Sequence, residues 1–587
     1  MNNDSVIIIG AGPAGLTAAY ELVQNGICPN VLEKGDMVGG MARTKTYKAY
    51  RFDVGGHRFI TNIEAVQNLW ETILGKDLIK VPRLSSIFYQ KRFFRYPLHL
   101  SDVLATLGIF ESILILLSYF KSRSWPFREE KSFEQWVSNR FGERLYRTFF
   151  KAYTEKVWGI PCSKIRSEWA KQRIKGLSIV SVTLNALLGF QKSKSLINEF
   201  YYPSEGPGMM WEGFKSAISS QGGQVRLNSE AVSLNHADGR IVNVACCINK
   251  NEIIEMPVSH LISSMPVDQL IAKLDPKAPD NVLEAANKLD YRSFILVGLI
   301  IEKKSLFPDQ WLYIQDPKIR VGRIQNFKNW SLAMVPDPQK TSLGMEYFCT
   351  DGDELWSMSD SELIRLATKE LAGLGLAQDK DVLNGFVIRQ PDAYPIYDED
   401  HNEHLGVVRD FLGTIENLQT IGRNGMHRYN NMDHSMYTGM LSAKNVLGAR
   451  HDLWDFEETY PDVVRKDVVS QRAFEETVIQ TFVRMDKLAL AIAVGAVSGL
   501  FFFLLTVWLI VKGGDIVGPH LQLLGQYFIG YTVTLKGAFI ALGYGFFWGF
   551  LFGGLFAFFR NFFMAYYVYR AKKKAEFLSF RDFFDQL

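Results

Sequence analysis

Three glycine-rich runs and one long polar junction carry the chemistry legible in this sequence. Gly10, Gly12 and Gly15 stand at GxGxxG spacing directly after the apolar run Val6 to Ile9. Gly10 permits a tight turn, Gly12 leaves the backbone open to a pyrophosphate, and Gly15 lets a helix approach the preceding strand. Pro13 and Ala14 open that helix, whose first amides face an anion. Glu33, with Lys34 beside it, ends the next strand, where a carboxylate can accept both hydroxyls of a ribose. A second run, Gly39-Gly40-Met41-Ala42-Arg43, couples bare backbone to a guanidinium suited to a phosphate. A third, Phe52-Asp53-Val54-Gly55-Gly56-His57, lets backbone approach a flat ring. Far downstream, Gly422 to Asp433 reads as a strand-to-turn-to-helix junction dense in polar groups. A helix starting near Met432 would aim its positive end at a ring carrying negative charge.

These groups need elements to hold them. Residues 5–35 predict strand, turn, helix and strand, with the helix running from Ala14 to Asn25 and stopping at Gly26. Residues 65–205 read mostly helical. Within them Val103 to Phe120 is apolar but interrupted by Glu111 and Ser118, which suits a surface-lying or core helix better than a membrane span. Strands are expected near 223–227, 232–234, 241–247, 261–264, 292–303, 319–325, 343–350, 385–389 and 417–421. Helices are expected over 361–374 and 435–447.

The chain has 587 residues, too many for one core, so two or three structural units are expected. Its net charge of +3 gives no reason to expect nucleic acid as a partner. Five scattered cysteines suggest reduced thiols in a cytoplasmic setting, and the histidines show no metal-ligand spacing, so no metal is expected. No secretory signal is read at the N-terminus. Leu488 to Val511 and Gly537 to Phe559 carry no charge and are each long enough to cross a hydrocarbon core. Arg472, Arg484 and Lys487 precede them, and Arg560, Arg570 and Lys572 to Lys574 follow. The positive-inside rule therefore puts both ends in the cytoplasm.

The glycine runs resemble the FAD-binding N-terminus shared by amine oxidases, protoporphyrinogen oxidases, phytoene desaturases and UDP-galactopyranose mutases. That likeness implies non-covalent FAD. It assigns Glu33 to the ribose, Arg43 to the pyrophosphate region, Gly55, Gly56 and His57 to the flavin wall, and Val232 to the adenine. The junction Gly422-Arg423-Asn424-Gly425-Met426-His427-Arg428-Tyr429-Asn430-Asn431-Met432-Asp433 resembles the mutase motif. Asn431 departs from it, standing where the mutases carry aspartate. Tyr153 to Gly159 and Tyr394 to Asp398 resemble two further mutase runs. By the same likeness Arg173 and Arg323 would clamp a diphosphate, Trp158 would wall the pocket, Tyr429 would contact phosphates, and His57 would stand near the reacting centre. Gly422, Arg423, Asn431, Met432 and Asp433 would complete the flavin site. The activity implied is a redox-neutral pyranose–furanose isomerisation of a nucleotide- or lipid-linked sugar, with the flavin as nucleophile. The alternative is an FAD-dependent oxidoreductase of the amine oxidase or protoporphyrinogen oxidase type, acting on a membrane-soluble substrate.

The expected architecture is α/β: a glutathione-reductase-like FAD-binding Rossmann fold with an inserted mixed-sheet and helical substrate domain, then two transmembrane helices. The FAD-binding parts are expected over 1–95, 206–270 and 406–450. The substrate side takes 96–205 (helical) and 271–405 (sheet). A linker over 451–487, a hairpin over 488–559 and a basic cytoplasmic tail over 560–587 complete the chain. The expected partners are a sugar diphosphate or another amphipathic small molecule and the lipid bilayer of the cytoplasmic membrane, with NAD(P)H as the candidate external reductant.

Overall fold

The computed structural model describes residues 5–95, 106–167, 199–398, 400–454, 486–513 and 517–584. It divides into one unit ending at Thr459 and a second beginning at Tyr460.

The first unit is built on a parallel five-stranded sheet ordered Leu418–Thr420, His260–Ser263, Val6–Ile9, Asn30–Leu32, Gln224–Arg226. All four residues of Val6–Ile9 are buried, as a central parallel strand covered on both faces requires. The first helix, Pro13–Gln24, matches expectation to within a residue at each end. Beside this sheet stands a four-stranded one, Glu252–Pro257, Arg240–Ile248, Ser229–Ala237 and Leu274–Asp275.

The inserted part is a seven-stranded sheet ordered Val382–Pro395, Tyr291–Ile301, Thr341–Cys349, Arg323–Asn326, Trp311–Ile314, Ser85–Tyr89, Arg92–Arg95. Two expectations need correcting here. The stretch 65–205 is not mostly helical at its start, since Leu78–Pro82, Ser85–Tyr89 and Arg92–Arg95 are strands. The first FAD-binding part also does not extend to 95, because the last two of these strands join the inserted sheet. Their hairpin turns through Gln90 and Lys91, at φ 50° and 59°. Two-residue turns of this hand favour Asn and Gly, so the usual sequence signal is missing.

The second unit holds two long apolar helices, Lys487–Lys512 and Leu535–Phe584. The second continues well past 559, so most of the expected separate tail is the same helix. Glycines line the seam between them. A Cβ on Gly495 would lie 2.8 Å from the Phe546 carbonyl, one on Gly499 2.7 Å from the Leu542 carbonyl, and one on Gly549 2.8 Å from the Val494 carbonyl. Four-residue glycine spacing on both helices lets the backbones touch, as in membrane helix pairs. Gly499→Leu should overpack this seam at a cost of about 1–3 kcal/mol. Reduced disulfide cross-linking between cysteines placed at Ala491 and Gly553 would report it.

Candidate functional site

The first strand ends at Gly10 with φ +96°, a left-handed conformation that favours glycine, and a Cβ there would sit 2.2 Å from Ser264 Oγ. A Cβ on Gly15 would lie 2.0 Å from the Gly10 carbonyl oxygen, so helix and turn touch there. Gly12 differs: its Cβ would meet nothing nearer than Gly40 Cα at 3.9 Å. Gly12 is also the helix N-cap and brings no side-chain oxygen, so the first amides of Pro13–Gln24 keep their donors for an anion.

A cleft of about 360 Å³ runs along this turn. At one end Glu33 is fixed by two amides: Ala11 N–H donates to Oε2 at 2.9 Å and Gly35 N–H to Oε1 at 2.8 Å. Lys34, Ser229, Glu230 and Ala231 complete that end. In the middle stand Gly10, Gly12, Pro13, Ala14, Gly40, Met41, Ala42 and Arg43. Arg43 donates from Nη1 to the Gly40 carbonyl and to Gln390 Oε1, both at 2.7 Å. Burial lowers its pKa, opposed by Glu33 and Asp36. At the far end are His57, Gly422, Arg423, Asn424, Asn430 and Met432.

His57 Nε2 lies 2.9 Å from the Met41 carbonyl and 3.0 Å from that of Val54. Carbonyls only accept, so Nε2 carries the proton. Burial pushes the imidazole pKa down to about 4. The ring is therefore neutral near pH 7 and pins two turns together rather than acting as an acid. Asn424 Oδ1 and Asn430 Nδ2 are buried, have no hydrogen-bond partner in the protein, and belong to cleft-lining residues. Such groups are costly unless a ligand satisfies them. Together with the glycine cradle, the carboxylate and the arginine, they make a donor set that fits a dinucleotide bearing a polar ring.

Some expected residues stand behind the cleft rather than on it. Gly15 and Gly39 shape the turns; a Cβ on Gly39 would sit 2.6 Å from Trp211. Gly55 packs on His57 and Gly56 on Gln325. Val232 falls at a bulge in its strand, and Ala231 and its neighbours line the cleft in its place. Asn431 caps the helix Met432–Val446, and Asp433 is buried on it. Sequence reasoning missed Gln390 and Asp392, which arrive on a long strand from the inserted sheet and carry no local signal. Asn424 and Asn430 lie inside the junction that was read, but their roles went unassigned.

The junction is held from below by two histidines. His427, at φ 44°, is fully buried, and its Nδ1 lies 3.0 Å from His401 Nε2. Its Nε2 lies 3.1 Å from the Asp290 carbonyl, so Nε2 carries the proton and Nδ1 accepts from His401. Tyr397 packs edge-on to His401 with ring centroids 4.5 Å apart, and its hydroxyl accepts from Tyr429 N–H. Burial pushes His427 down to about 3 and lowers His401 as well. Their folded pKa values lie below the unfolded value, so the unfolded chain binds more protons as pH falls. Their contribution is full above about pH 6.5 and is lost towards pH 3. His427→Asn tolerates the backbone and cannot titrate. Between pH 7 and 4.5 the wild type should lose stability relative to this variant by on the order of 2 kcal/mol, read from paired melting curves.

On the inserted sheet, Arg323 and Glu346 are paired across adjacent strands. Arg323 Nε donates to Glu346 Oε2 at 2.7 Å, and the Glu346 side chain is 0% exposed against 17% for Arg323. Burial raises the Tyr153 and Tyr394 hydroxyls, and the Arg323 charge opposes that rise. Tyr394 stacks on Tyr429 with centroids 5.6 Å apart, and the Arg423 guanidinium lies 4.8 Å over the Tyr429 ring. Trp158 is 2% exposed and packs 6.0 Å from Tyr429, which makes it core beneath this cluster. Lys156 gives its ammonium to the carbonyls of Ile314, Asp316 and Val321, a structural clamp. Arg173 lies outside the described residues.

The same architecture recurs in solved structures. One of a reduced UDP-galactopyranose mutase superposes with a TM-score of 0.67 at 22% identity, covering 77% of this chain and 97% of that one. A protoporphyrinogen oxidase candidate from Exiguobacterium sp. 255-15 gives 0.59 at 16% identity, covering 76% and 100%. Among sequence relatives, a probable UDP-galactopyranose mutase from Klebsiella pneumoniae is 26% identical over 178 residues, 29% of this chain and 45% of that protein. A 15-cis-phytoene desaturase from an Oncidium hybrid cultivar is 26% identical over 389 residues, 63% and 64%. The chain thus spans less than two thirds of the length of each of these relatives. The family model described as flavin containing amine oxidoreductase matches residues 13–395, well over half the chain. With the glycine cradle, the fixed carboxylate and the unpartnered Asn424 Oδ1 and Asn430 Nδ2 at its ring end, this match makes the chain a member of the flavin containing amine oxidoreductase family.

Proposed function

We propose that this flavoenzyme is a mutase-type isomerase of a nucleotide- or lipid-linked sugar, working at a membrane in cell-surface glycan synthesis. The observation that carries the reading is the cationic, hydroxyl-rich cluster beside the ring end of the cleft. It gathers Arg323, Tyr153, Tyr394 and Tyr429, with the cleft-lining Arg423 over the rings of Tyr394 and Tyr429. Glu346 engages Nε and Nη2 of Arg323, which fixes the plane of the guanidinium and leaves Nη1 to meet a phosphate oxygen. Tyrosine hydroxyls add donors of the kind a diphosphate takes, and burial holds Tyr153 and Tyr394 in their protonated, donating form. When bound, the flavin would supply the nucleophilic centre for a redox-neutral change of sugar ring size. His57, neutral and tied to two carbonyls, keeps the turns around that centre in register.

The two apolar helices favour a membrane setting. Lys487–Lys512 and Leu535–Phe562 are long and apolar enough to span, and the flanking charges support the reading that both ends lie in the cytoplasm. NAD(P)H is the reductant we propose for activating the flavin. A second reading, oxidation of a membrane-soluble substrate, is favoured by the desaturase relative, whose match covers more of this chain than the mutase match does.

The two separate in one experiment on detergent-purified protein. Under the mutase reading, turnover of nucleotide sugars or polyprenyl-phosphate sugars begins only after dithionite reduction and consumes no oxidant. A flavin that bleaches on addition of substrate alone supports the oxidase reading. Failure to bind any sugar diphosphate, reduced or oxidised, ends the mutase reading.

A further inference from the structure

The helix Ile109–Ser124 belongs to the helical layer of the catalytic unit, packing on Phe133–Phe141 and Glu143–Tyr146. Its inner face is fixed. Ser112 and Ile115 are buried, and Gly142 meets the Tyr119 backbone so closely that a Cβ would lie 2.8 Å from Tyr119 N. Its outer face is the reverse of what a water-facing helix presents. Phe110 is 76% exposed, Ile113 49%, Leu117 59% and Phe120 62%. The spacing i, i+3, i+7, i+10 places all four on one stripe. Trp125, at 79%, and Phe127, at 52%, prolong it past the helix end. Scattered exposed apolar residues need no explanation, but a contiguous row of this size marks a docking surface.

Charge identifies the occupant. The one carboxylate on the helix, Glu111, is held by Arg144 through Nε at 2.6 Å and Nη2 at 2.7 Å. Lys121, Arg123 and Arg128 are exposed at the Trp125 end, where Glu129 is paired with Lys131 and Glu130 with Arg140. Large apolar side chains beside exposed cations, with the carboxylate neutralised, are the composition of an interfacial helix on anionic lipid. A protein groove would require no such excess of cations.

We propose that Ile109–Ser124 lies in the headgroup boundary of an anionic bilayer, with the Phe110–Phe120 stripe buried in it and Trp125 at its edge. This rests on the membrane reading above and adds to it a second lipid contact, made by the catalytic unit itself. The same helical layer continues through Glu143–Tyr146 to Ala152–Trp158, which carries Tyr153 of the candidate site. A substrate with a lipid tail would then be met at the bilayer surface.

The test uses the full chain, with Cys28→Ser to remove the exposed thiol, reconstituted in vesicles containing roughly 30% phosphatidylserine. A fluorophore is attached at Leu117→Cys, at Lys369→Cys on a polar helix face, or at Phe501→Cys on the first apolar helix. Lipid-borne nitroxide should quench the labels at 501 and 117 at least ~3-fold more than the label at 369. If the label at 501 is quenched while that at 117 stays open to aqueous iodide, the helix faces water and the inference is overturned. If the label at 117 is shielded from both quenchers, protein covers it, whether a second copy or another segment, and the inference is again overturned. If the label at 501 is not quenched, the membrane reading itself fails and takes this inference with it.

Discussion

Gly12→Val should yield a folded, colourless protein. The position is separable from its neighbours because a Cβ at Gly12 meets nothing nearer than 3.9 Å, whereas one at Gly10 or Gly15 would collide at 2.2 or 2.0 Å. The branched side chain therefore enters the cleft without disturbing the turn, and it blocks the first amides of Pro13–Gln24, where a pyrophosphate must come within hydrogen-bond distance. Flavin affinity should fall at least ~100-fold, about 2.7 kcal/mol. The melting temperature measured without flavin should stay within a degree or two of the wild-type apoprotein, a surface-like effect. Gly15→Val is the contrasting case, in which the fold itself should fail. If Gly12→Val purifies yellow with full flavin content, the cradle has been misplaced.

Arg323→Ala should cost far more than substrate affinity. Removing the guanidinium leaves Glu346 as a fully buried carboxylate with only the Gln325 amide for company. Breaking a buried pair from one side is destabilising by about 3–5 kcal/mol, most of it the cost of the stranded charge. Denaturant unfolding should show that loss, and Arg323→Ala combined with Glu346→Gln should recover a large part of it because no stranded charge remains. Sugar-diphosphate binding should be lost in both variants. If Arg323→Ala unfolds at the wild-type midpoint, the pair contributes specificity alone.

The sequence read by itself suggests that Arg323→Ala would touch only the substrate. The reason it misleads is instructive: Glu346 lies 23 positions away and meets Arg323 only through strand register, which no local pattern reveals. The glycine turns were legible because backbone sterics permit few residues at those places. The same holds for the central strand Val6–Ile9 of the cofactor sheet, which is buried at every position and reads as continuous Val and Ile. The hairpin at 85–95 was not legible, since Gln90 and Lys91 adopt the turn without Asn or Gly. The adenine end was read one residue out, at Val232, because a bulge reverses the alternation there. Gln390 and Asp392 were invisible for a different reason, as a strand belonging to the other sheet delivers them.

The five strands of the cofactor sheet come from residues near 6, 30, 224, 260 and 418. A polypeptide leaving the ribosome presents its phosphate turn some four hundred residues before the last edge strand and the junction after it. Pairings this distant in sequence are slow to close and leave apolar edges bare in the meantime. The cleft is complete only when nearly the whole first unit is present, because Gly422, Arg423, Asn424, Asn430 and Met432 line its ring end. Any truncation before Leu418 would produce a protein with its glycine fingerprint intact and no means of retaining the coenzyme.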